Sequence, residues 1–277
     1  MYIKCKIENF KDIYDSLIKK ENEERYYEIG KKIFEDNESE IIKKLDEYIS
    51  PTGKIEVDSL EKDWFPKVEA DIFLSHSHQD EKKAIILAGF LKKEFSIKTF
   101  IDSIIWKNSL DLLKKIDDKY NKQSNGSYSY SGSTWAATNV NLILMMALMK
   151  MMDKCECAFF LETPNSLQIS SSNKKENTGS PWIYSEIEIL NRIRKLPLKR
   201  PKVAMESVKK SNEDIFNLQF EYNLNFSDFY KINLEIFRKW LFSKNNIEQY
   251  KIYDGHFKYK NLESLDKLYK ILGEKNE

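Results

Sequence analysis

Residues 70–102 read ADIFLSHSHQDEKKAIILAGFLKKEFSIKTFID. The run at 70–76 is short and apolar, which is typical of a buried strand. Residues 81–95 place apolar side chains at helical spacing, with Asp80 as the predicted N-cap, and residues 97–102 form a second short apolar run. A strand, a helix and a second strand in this order predict a βαβ unit, whose two strands are parallel.

The alternation of strands and helices continues towards the C-terminus. The sequence predicts, in chain order, a helix at 140–152, a strand at 155–163, a helix from residue 181, strands at 201–207 and 220–226, a helix at 227–242 and a last helix. This alternation predicts an α/β fold with a parallel sheet that is covered by helices on both faces. Residues 1 to about 50 carry apolar residues at helical spacing, which predicts a helical N-terminal extension.

The composition argues against several classes of protein. The 45 Lys and Arg residues nearly balance the 44 Asp and Glu residues, so a nucleic-acid partner is not expected. The most apolar run, 142–149, is far shorter than the roughly 20 residues of a membrane span. Cys5, Cys155 and Cys157 give no disulfide framework, and with three histidines they predict no metal site. We therefore expect a cytoplasmic protein without a membrane or metal partner.

Two loops, 121–134 and 165–179, are long and polar. Loops of this length in a compact domain are usually functional or disordered. A lid over a binding site and a disordered insertion are both consistent with their composition.

Polar segments follow the first three strands of the predicted sheet. Ligands of open parallel sheets bind beyond the carboxyl ends of the strands, so these segments are expected to share one binding edge. Their polar and aromatic residues are Ser75, His76, Ser77, His78, Asp102, Trp106 and Ser180.

The helix predicted from residue 181 contains an acid in an apolar stripe. Ser180 and Pro181 are typical of the N-cap and first position of a helix. Glu186 falls within the apolar arc of this helix, one turn after Trp182, whereas Glu188 points outward. A carboxylate on an inward face is costly unless it is paired or lines a cavity. The spacing leaves both alternatives open for Glu186.

Three motifs carry a family resemblance: DIFLSHSHQD from residue 71, FID from residue 100 and SPWIYSE from residue 180. In this order and spacing they resemble the bacterial branch of the TIR (Toll/interleukin-1 receptor) domain, and Trp-x-x-x-Glu is the most specific part. The resemblance implies a flavodoxin-like fold with a parallel five-stranded sheet. It divides the chain into a helical N-terminal region and linker (1–67), a TIR domain (68–245) and a C-terminal helical extension (246–277).

The resemblance also implies cleavage of the bond between nicotinamide and ribose in NAD⁺, which is a substrate here and not a cofactor. Nicotinamide leaves from a cationic pyridinium, so no general acid is required. A single ionised glutamate, Glu186, would stabilise the charge that develops on the ribose. The substrate-binding residues implied by the family pattern are Ser75, His76, Ser77, His78, Asp102, Trp106 and Trp182.

Bacterial TIR enzymes act in anti-phage defence. The resemblance therefore implies an ADP-ribose-type signal or NAD⁺ depletion, self-association through the TIR domain, and a separate effector protein, as in Thoeris-like systems. The sequence departs from the family in lacking the usual glycine after Asp102 and in the length of segment 103–139. A non-catalytic TIR scaffold is the main alternative. A nucleoside-transferring enzyme with a glutamate nucleophile is a further one, whereas a phosphorelay receiver lacks its acidic pair after the first strand.

Overall fold

The computed structural model of the protein describes residues 1–18, 20–38, 55–65, 68–169, 176–193, 222–243 and 258–273. The strands in these ranges are β1 (Ile3–Ile7), β2 (Ile72–Ser75), β3 (Thr99–Ile101), β4 (Cys157–Leu161), β5 (Gln168–Ile169), β6 (Glu176–Thr178), β7 (Tyr222–Asn223) and β8 (Tyr230–Ile232). The α-helices are α1 (Phe10–Ile13), α2 (Glu23–Glu38), α3 (Val57–Trp64), α4 (Glu81–Phe95), α5 (Ser103–Ile116), α6 (Tyr130–Lys154), α7 (Pro181–Arg192), α8 (Leu234–Ser243) and α9 (Lys258–Ile271).

Five strands form the main sheet, in the order β3-β2-β4-β1-β8, and every neighbouring pair is parallel. The carboxyl ends of all five strands therefore meet at one edge, which we call the carboxyl edge. The predicted α/β class with a flavodoxin-like, five-stranded parallel sheet is confirmed. A second, antiparallel sheet contains β5, β6 and β7.

Helices cover both faces of the main sheet. Because side chains alternate along a strand, Ile72 and Leu74 join one apolar core cluster, while Phe73 joins another on the opposite face. Helices α1, α2, α4, α8 and α9 contribute to the first cluster, and we call this side the first face. Helices α3, α5, α6 and α7 contribute to the second cluster, on the second face.

The N-terminal residues correct the prediction of a helical extension. β1 lies inside the sheet, with Cys5 opposite Phe159 of β4 on one side and opposite Tyr230 of β8 on the other. Residues 3–7 are therefore part of the sheet, and a boundary at residue 67 would separate this strand from both of its neighbours. The helix predicted after it is present as α2.

Helix α2 packs closely on α4 through two glycines. A Cβ atom on Gly89 would lie 1.8 Å from the carbonyl oxygen of Tyr26, and one on Gly30 would lie 2.1 Å from that of Ile85. Only residues without a side chain permit this approach of the two backbones. The N-terminal helix is thus a layer of the first face.

The C-terminal half differs from the prediction in two ways. The strand predicted at 220–226 appears only as β7, in the second sheet. The fifth strand of the main sheet is β8, which lies inside the predicted helix 227–242, and α8 begins only at Leu234. The strand predicted at 201–207 lies outside the described residues. The last predicted helix is confirmed as α9.

Helix α6 includes the predicted helix 140–152 but begins earlier, at Tyr130. The Ser129 hydroxyl caps it by accepting a hydrogen bond from the Gly132 amide at 3.3 Å, so part of the polar stretch 121–134 is helical. Within the described ranges, α6 alone is long and apolar enough to cross a membrane. That test also selects core helices, and Leu144 and Leu148 of α6 are buried in the second-face core.

Candidate functional site

Helix α7 carries the candidate acid and forms as predicted. The Ser180 hydroxyl accepts a hydrogen bond from the Ile183 amide at 3.3 Å and caps the helix, and Pro181 occupies the first turn. Ile183, Ile187 and Leu190 are buried in the second-face core. Glu186 lies on the same inward side and is only 1% exposed. The inward orientation that the sequence predicts for this carboxyl group is therefore confirmed.

Glu186 contacts polar groups that follow two strands of the sheet. Its Oε2 accepts a hydrogen bond of 2.5 Å from the Ser75 hydroxyl at the end of β2. The carboxyl group of Asp102, directly after β3, lies near enough to raise the pKa of Glu186, and Oε1 of Glu186 is buried without a hydrogen-bond partner among the described residues. Asp102 Oδ1 in turn lies 3.1 Å from Nδ1 of His76. All four residues are at most 4% exposed, so they form a buried polar cluster at the carboxyl edge.

The cluster contains one ion pair and one neutral acid. Burial alone would lower the pKa of His76 and raise that of Asp102. Their mutual attraction outweighs burial, so the pKa of His76 is raised and that of Asp102 is lowered. The pKa of Glu186 is raised well above its ordinary value by burial, and then by the charge of Asp102. These shifts favour the protonated form of His76, the ionised form of Asp102 and the protonated form of Glu186.

The proposed role of Glu186 uses its ionised form, whereas burial and the neighbouring Asp102 favour its protonated form in this conformation. Among the described residues, its hydrogen-bond partner is the Ser75 hydroxyl, and Asp102 is the neighbouring charge. The hydroxyl of Ser75 is directed to Glu186 and not to His76, so the serine, histidine and acid do not line up as a hydrolase triad.

Of the other predicted site residues, those whose side chains are described are not part of this buried cluster. Ser77 is largely buried, and its carbonyl oxygen accepts a hydrogen bond of 2.7 Å from the Asp80 amide. His78 is exposed and lies 3.8 Å from Glu81. Trp182 is half-buried against the second-face core. Trp106 lies in α5, and its side chain is outside the described part of the structure.

A second polar network at the carboxyl edge was not predicted. Asp80 is 2% exposed and accepts hydrogen bonds from the Thr163 hydroxyl at 2.5 Å and from Lys83 at 2.7 Å. Asn165 donates to the same carboxylate at 3.1 Å. The sequence indicates Asp80 only as a helix N-cap, and its side chain instead ties the start of α4 to the turn after β4. Thr163 and Asn165 are 83 and 85 residues from Asp80 in the chain, so spacing could not have revealed them.

A cleft of about 510 Å³ lies at the opposite edge of the main sheet, at the amino ends of β1 and β8. Lys4, Asn191, Asp228 and Tyr230 are among its lining residues. The cleft is therefore remote from Glu186, and the buried cluster is the candidate site. In the described ranges, no group of three His, Cys, Asp or Glu residues could hold a metal ion.

The arrangement can perform acid, base or nucleophilic chemistry with Glu186 once a ligand reaches it. Two adjacent carboxyl groups, one protonated and one ionised, are the usual equipment for cleaving glycosidic bonds. No protein-family model, no curated protein and no solved structure matches the chain.

Proposed function

We propose that the protein cleaves the N-glycosidic bond of NAD⁺ and that Glu186 is its catalytic residue. The observation that carries this proposal is the burial of Glu186 at the carboxyl edge, between Ser75 and Asp102. A buried acid with a strongly raised pKa at this edge of a parallel sheet is typical of a reaction centre, and the fold does not require it for stability. The TIR-like motifs supply the substrate, NAD⁺.

The reaction needs one carboxylate from the protein. The bond between C1′ and the pyridinium nitrogen breaks, its electron pair neutralises the ring, and the ribose carbon becomes cationic before water or a hydroxyl captures it. Glu186 stabilises this cation in its ionised form. A pyridinium beside Glu186 lowers the pKa of that acid, because an opposite charge favours the ionised form. Binding of the cationic substrate thereby favours loss of the Glu186 proton to solvent, which leaves the carboxylate that the reaction uses. When water captures the ribose cation, the proton that the water loses returns to Glu186.

The neighbouring residues prepare Glu186 for this role. Ser75 holds its Oε2 in place with a hydrogen bond of 2.5 Å. The ion pair between His76 and Asp102 keeps a fixed negative charge beside it. That charge favours the protonated form of Glu186 until a cation arrives. Glu186 is 1% exposed, so the proposal requires the cluster to open before a substrate can reach this acid.

The wider role follows from the same resemblance. The protein acts in the cytoplasm in anti-phage defence, where it makes an ADP-ribose-type immune signal or depletes NAD⁺. Self-association through the TIR-like domain opens the resting site. A separate effector protein binds the nucleotide that is released.

The test is release of free nicotinamide from NAD⁺ by the purified protein, alone and with lysate of phage-infected cells. We expect wild type to release it in at least one condition, and Glu186→Gln to lose at least about a hundredfold of that rate. Glu188→Gln is the matched control, because Glu188 lies on the same helix and pairs with Arg192 on its outer side. Equal background rates for wild type and Glu186→Gln in both conditions would exclude the enzyme and leave the TIR scaffold.

The contact between Asp102 and Glu186 favours a second candidate, an enzyme that transfers a ribosyl group between nucleobases. A neutral base is a poor leaving group and needs a proton from an acid. Here the protonated member of the pair could supply it while the other stabilises the sugar. Product analysis separates the candidates, because ADP-ribose species indicate NAD⁺ cleavage and exchanged bases indicate transfer.

A further inference from the structure

A lysine near the centre of the main sheet is buried without an evident structural need. The side chains of Ile3, Cys5 and Ile7 in β1 enter the first-face core. Lys6 therefore points to the second face, and it is only 3% exposed. Lysine is among the residues least often fully buried, because its charge must leave water.

The ammonium group of Lys6 is held between two acids at the carboxyl edge. Its Nζ donates a hydrogen bond of 2.5 Å to Oε1 of Glu176 in β6 and lies 3.3 Å from Oε2 of Glu162, directly after β4. The ring of Phe226 lies below it, at 5.0 Å from the ring centre. The side chains of Glu162 and Glu176 are 26% and 35% exposed, so the acids reach solvent while the lysine beneath them stays buried.

Lys6 and the cluster of Glu186 lie at the same level of the sheet. Phe160 of β4 is opposite Lys6 on one side and opposite Ser75 on the other. Both side chains lie on the second face, where α7 presents Glu186. Two strand spacings separate β1 from β2, which places the two backbones about 10 Å apart. The buried side chain of Phe160 lies between them on this face, so a ribose phosphate held at Glu186 must pass over that ring to reach Lys6.

One ammonium faces two carboxylates in this group, and the two differ in how they are held. Glu162 extends from the main sheet itself, whereas Glu176 belongs to the second sheet. The diphosphate of a dinucleotide carries two negative charges, against one on a carboxylate, and can take the place of a carboxylate on a lysine. Displacing Glu176 would leave Lys6 neutralised by the ligand and by Glu162.

From this geometry we propose that Lys6 is the phosphate-binding residue of the active site. It takes the diphosphate of a nucleotide substrate in place of Glu176. The inference rests on the proposed function for the identity of the substrate, and it restricts that substrate to phosphorylated nucleotides. Free nucleosides lack the group that Lys6 binds and are therefore poor substrates.

Calorimetric titration with inorganic pyrophosphate tests the site without any catalysis. We expect binding to wild type and to Lys4→Met, and about ten- to hundredfold weaker binding to Lys6→Met, since the charge-assisted contact is lost. Lys4 is the matched control because it lies on the same strand and face, at the other edge, beside Asp228 and Phe229. Glu176→Gln keeps Lys6 and removes the competing charge, so it should bind pyrophosphate more tightly than wild type.

The inference is overturned if wild type binds no pyrophosphate or if Lys6→Met binds it as tightly as Lys4→Met. Should Lys6→Met fail to fold, an unchanged affinity in Glu176→Gln overturns it. Failure of the proposed function is a separate result. In that case pyrophosphate binding still depends on Lys6, but no nicotinamide is released from NAD⁺.

Discussion

Replacing Glu186 by glutamine should stabilise the protein at neutral pH. Glutamine has the shape of a protonated glutamate: its oxygen can accept the hydrogen bond of Ser75, and its amide can donate to Asp102. The folded wild type holds a proton on Glu186 that the unfolded chain releases to water. The substitution removes this penalty and retains the contacts.

The sign and the size of the effect follow from the raised pKa of Glu186. Above the ordinary value of 4.5, the unfolded chain binds fewer protons than the folded protein. The free energy of unfolding of wild type therefore falls as the pH rises towards the folded pKa, by about 1.4 kcal/mol per pH unit. On a protein of this size, each kcal/mol of this loss lowers the Tm by roughly 2–4 °C.

Thermal unfolding of both proteins between pH 4 and pH 7 measures this difference. We expect coincident Tm values at pH 4 and a gap that widens towards neutral pH in favour of Glu186→Gln. Glu188→Gln should show no such gap, because Glu188 is partly exposed and paired with Arg192. A constant difference across the pH range, or a glutamine variant that is less stable at pH 7, would refute the assignment of Glu186 as a buried neutral acid.

Two further predictions concern the packing of α2 and the charge of His76. Gly89→Ala should lower the free energy of unfolding in urea, because overpacking against Tyr26 costs about 1–3 kcal/mol and exceeds the roughly 1 kcal/mol gained in helix propensity. Gly132→Ala is the control, because its new Cβ atom meets side chains and no backbone, and it should lower the free energy of unfolding by less. Asp102→Asn removes the carboxylate that holds the pKa of His76 above its ordinary value, so NMR should show this imidazole losing its proton at a lower pH than in wild type. An unchanged His76 titration would contradict the ion pair.

The residues that the sequence places correctly are those whose signals are local. The βαβ unit at 70–102 and helix α7 each combine a clear period with a turn or a cap, and they appear within a few residues of the predicted positions. The inward position of Glu186 follows from helical spacing alone. The meeting of Ser75, Asp102 and Glu186 follows from one further rule, that parallel strands end at a common edge.

The strands that the sequence misses have signals that are short or depend on distant partners. β1 is five residues long, and its lysines interrupt the apolar run that indicates a buried strand. Its neighbour β4 lies about 150 residues away in the chain, so no local pattern could reveal the pairing. β8 has three residues directly before a helix and was absorbed into the predicted helix 227–242. The sequence could not reveal the raised pKa of Glu186 either, because this pKa depends on burial and on how close Asp102 comes in the folded chain.

Under the proposed function, the charges of the buried cluster would suit a cationic substrate better than a neutral one. The pKa shifts favour a protonated His76, an ionised Asp102 and a protonated Glu186, and in that combination the cluster has no net charge. If a pyridinium enters and Glu186 releases its proton, the net charge of cluster and pyridinium together is again zero. The substrate is then buried without leaving an unpaired charge in the site. A neutral nucleoside that entered would leave Glu186 protonated, and only an acid-assisted reaction could then follow. Glu186 would thus act as a carboxylate on NAD⁺ and as a general acid on a neutral nucleoside. The product analysis distinguishes these two roles.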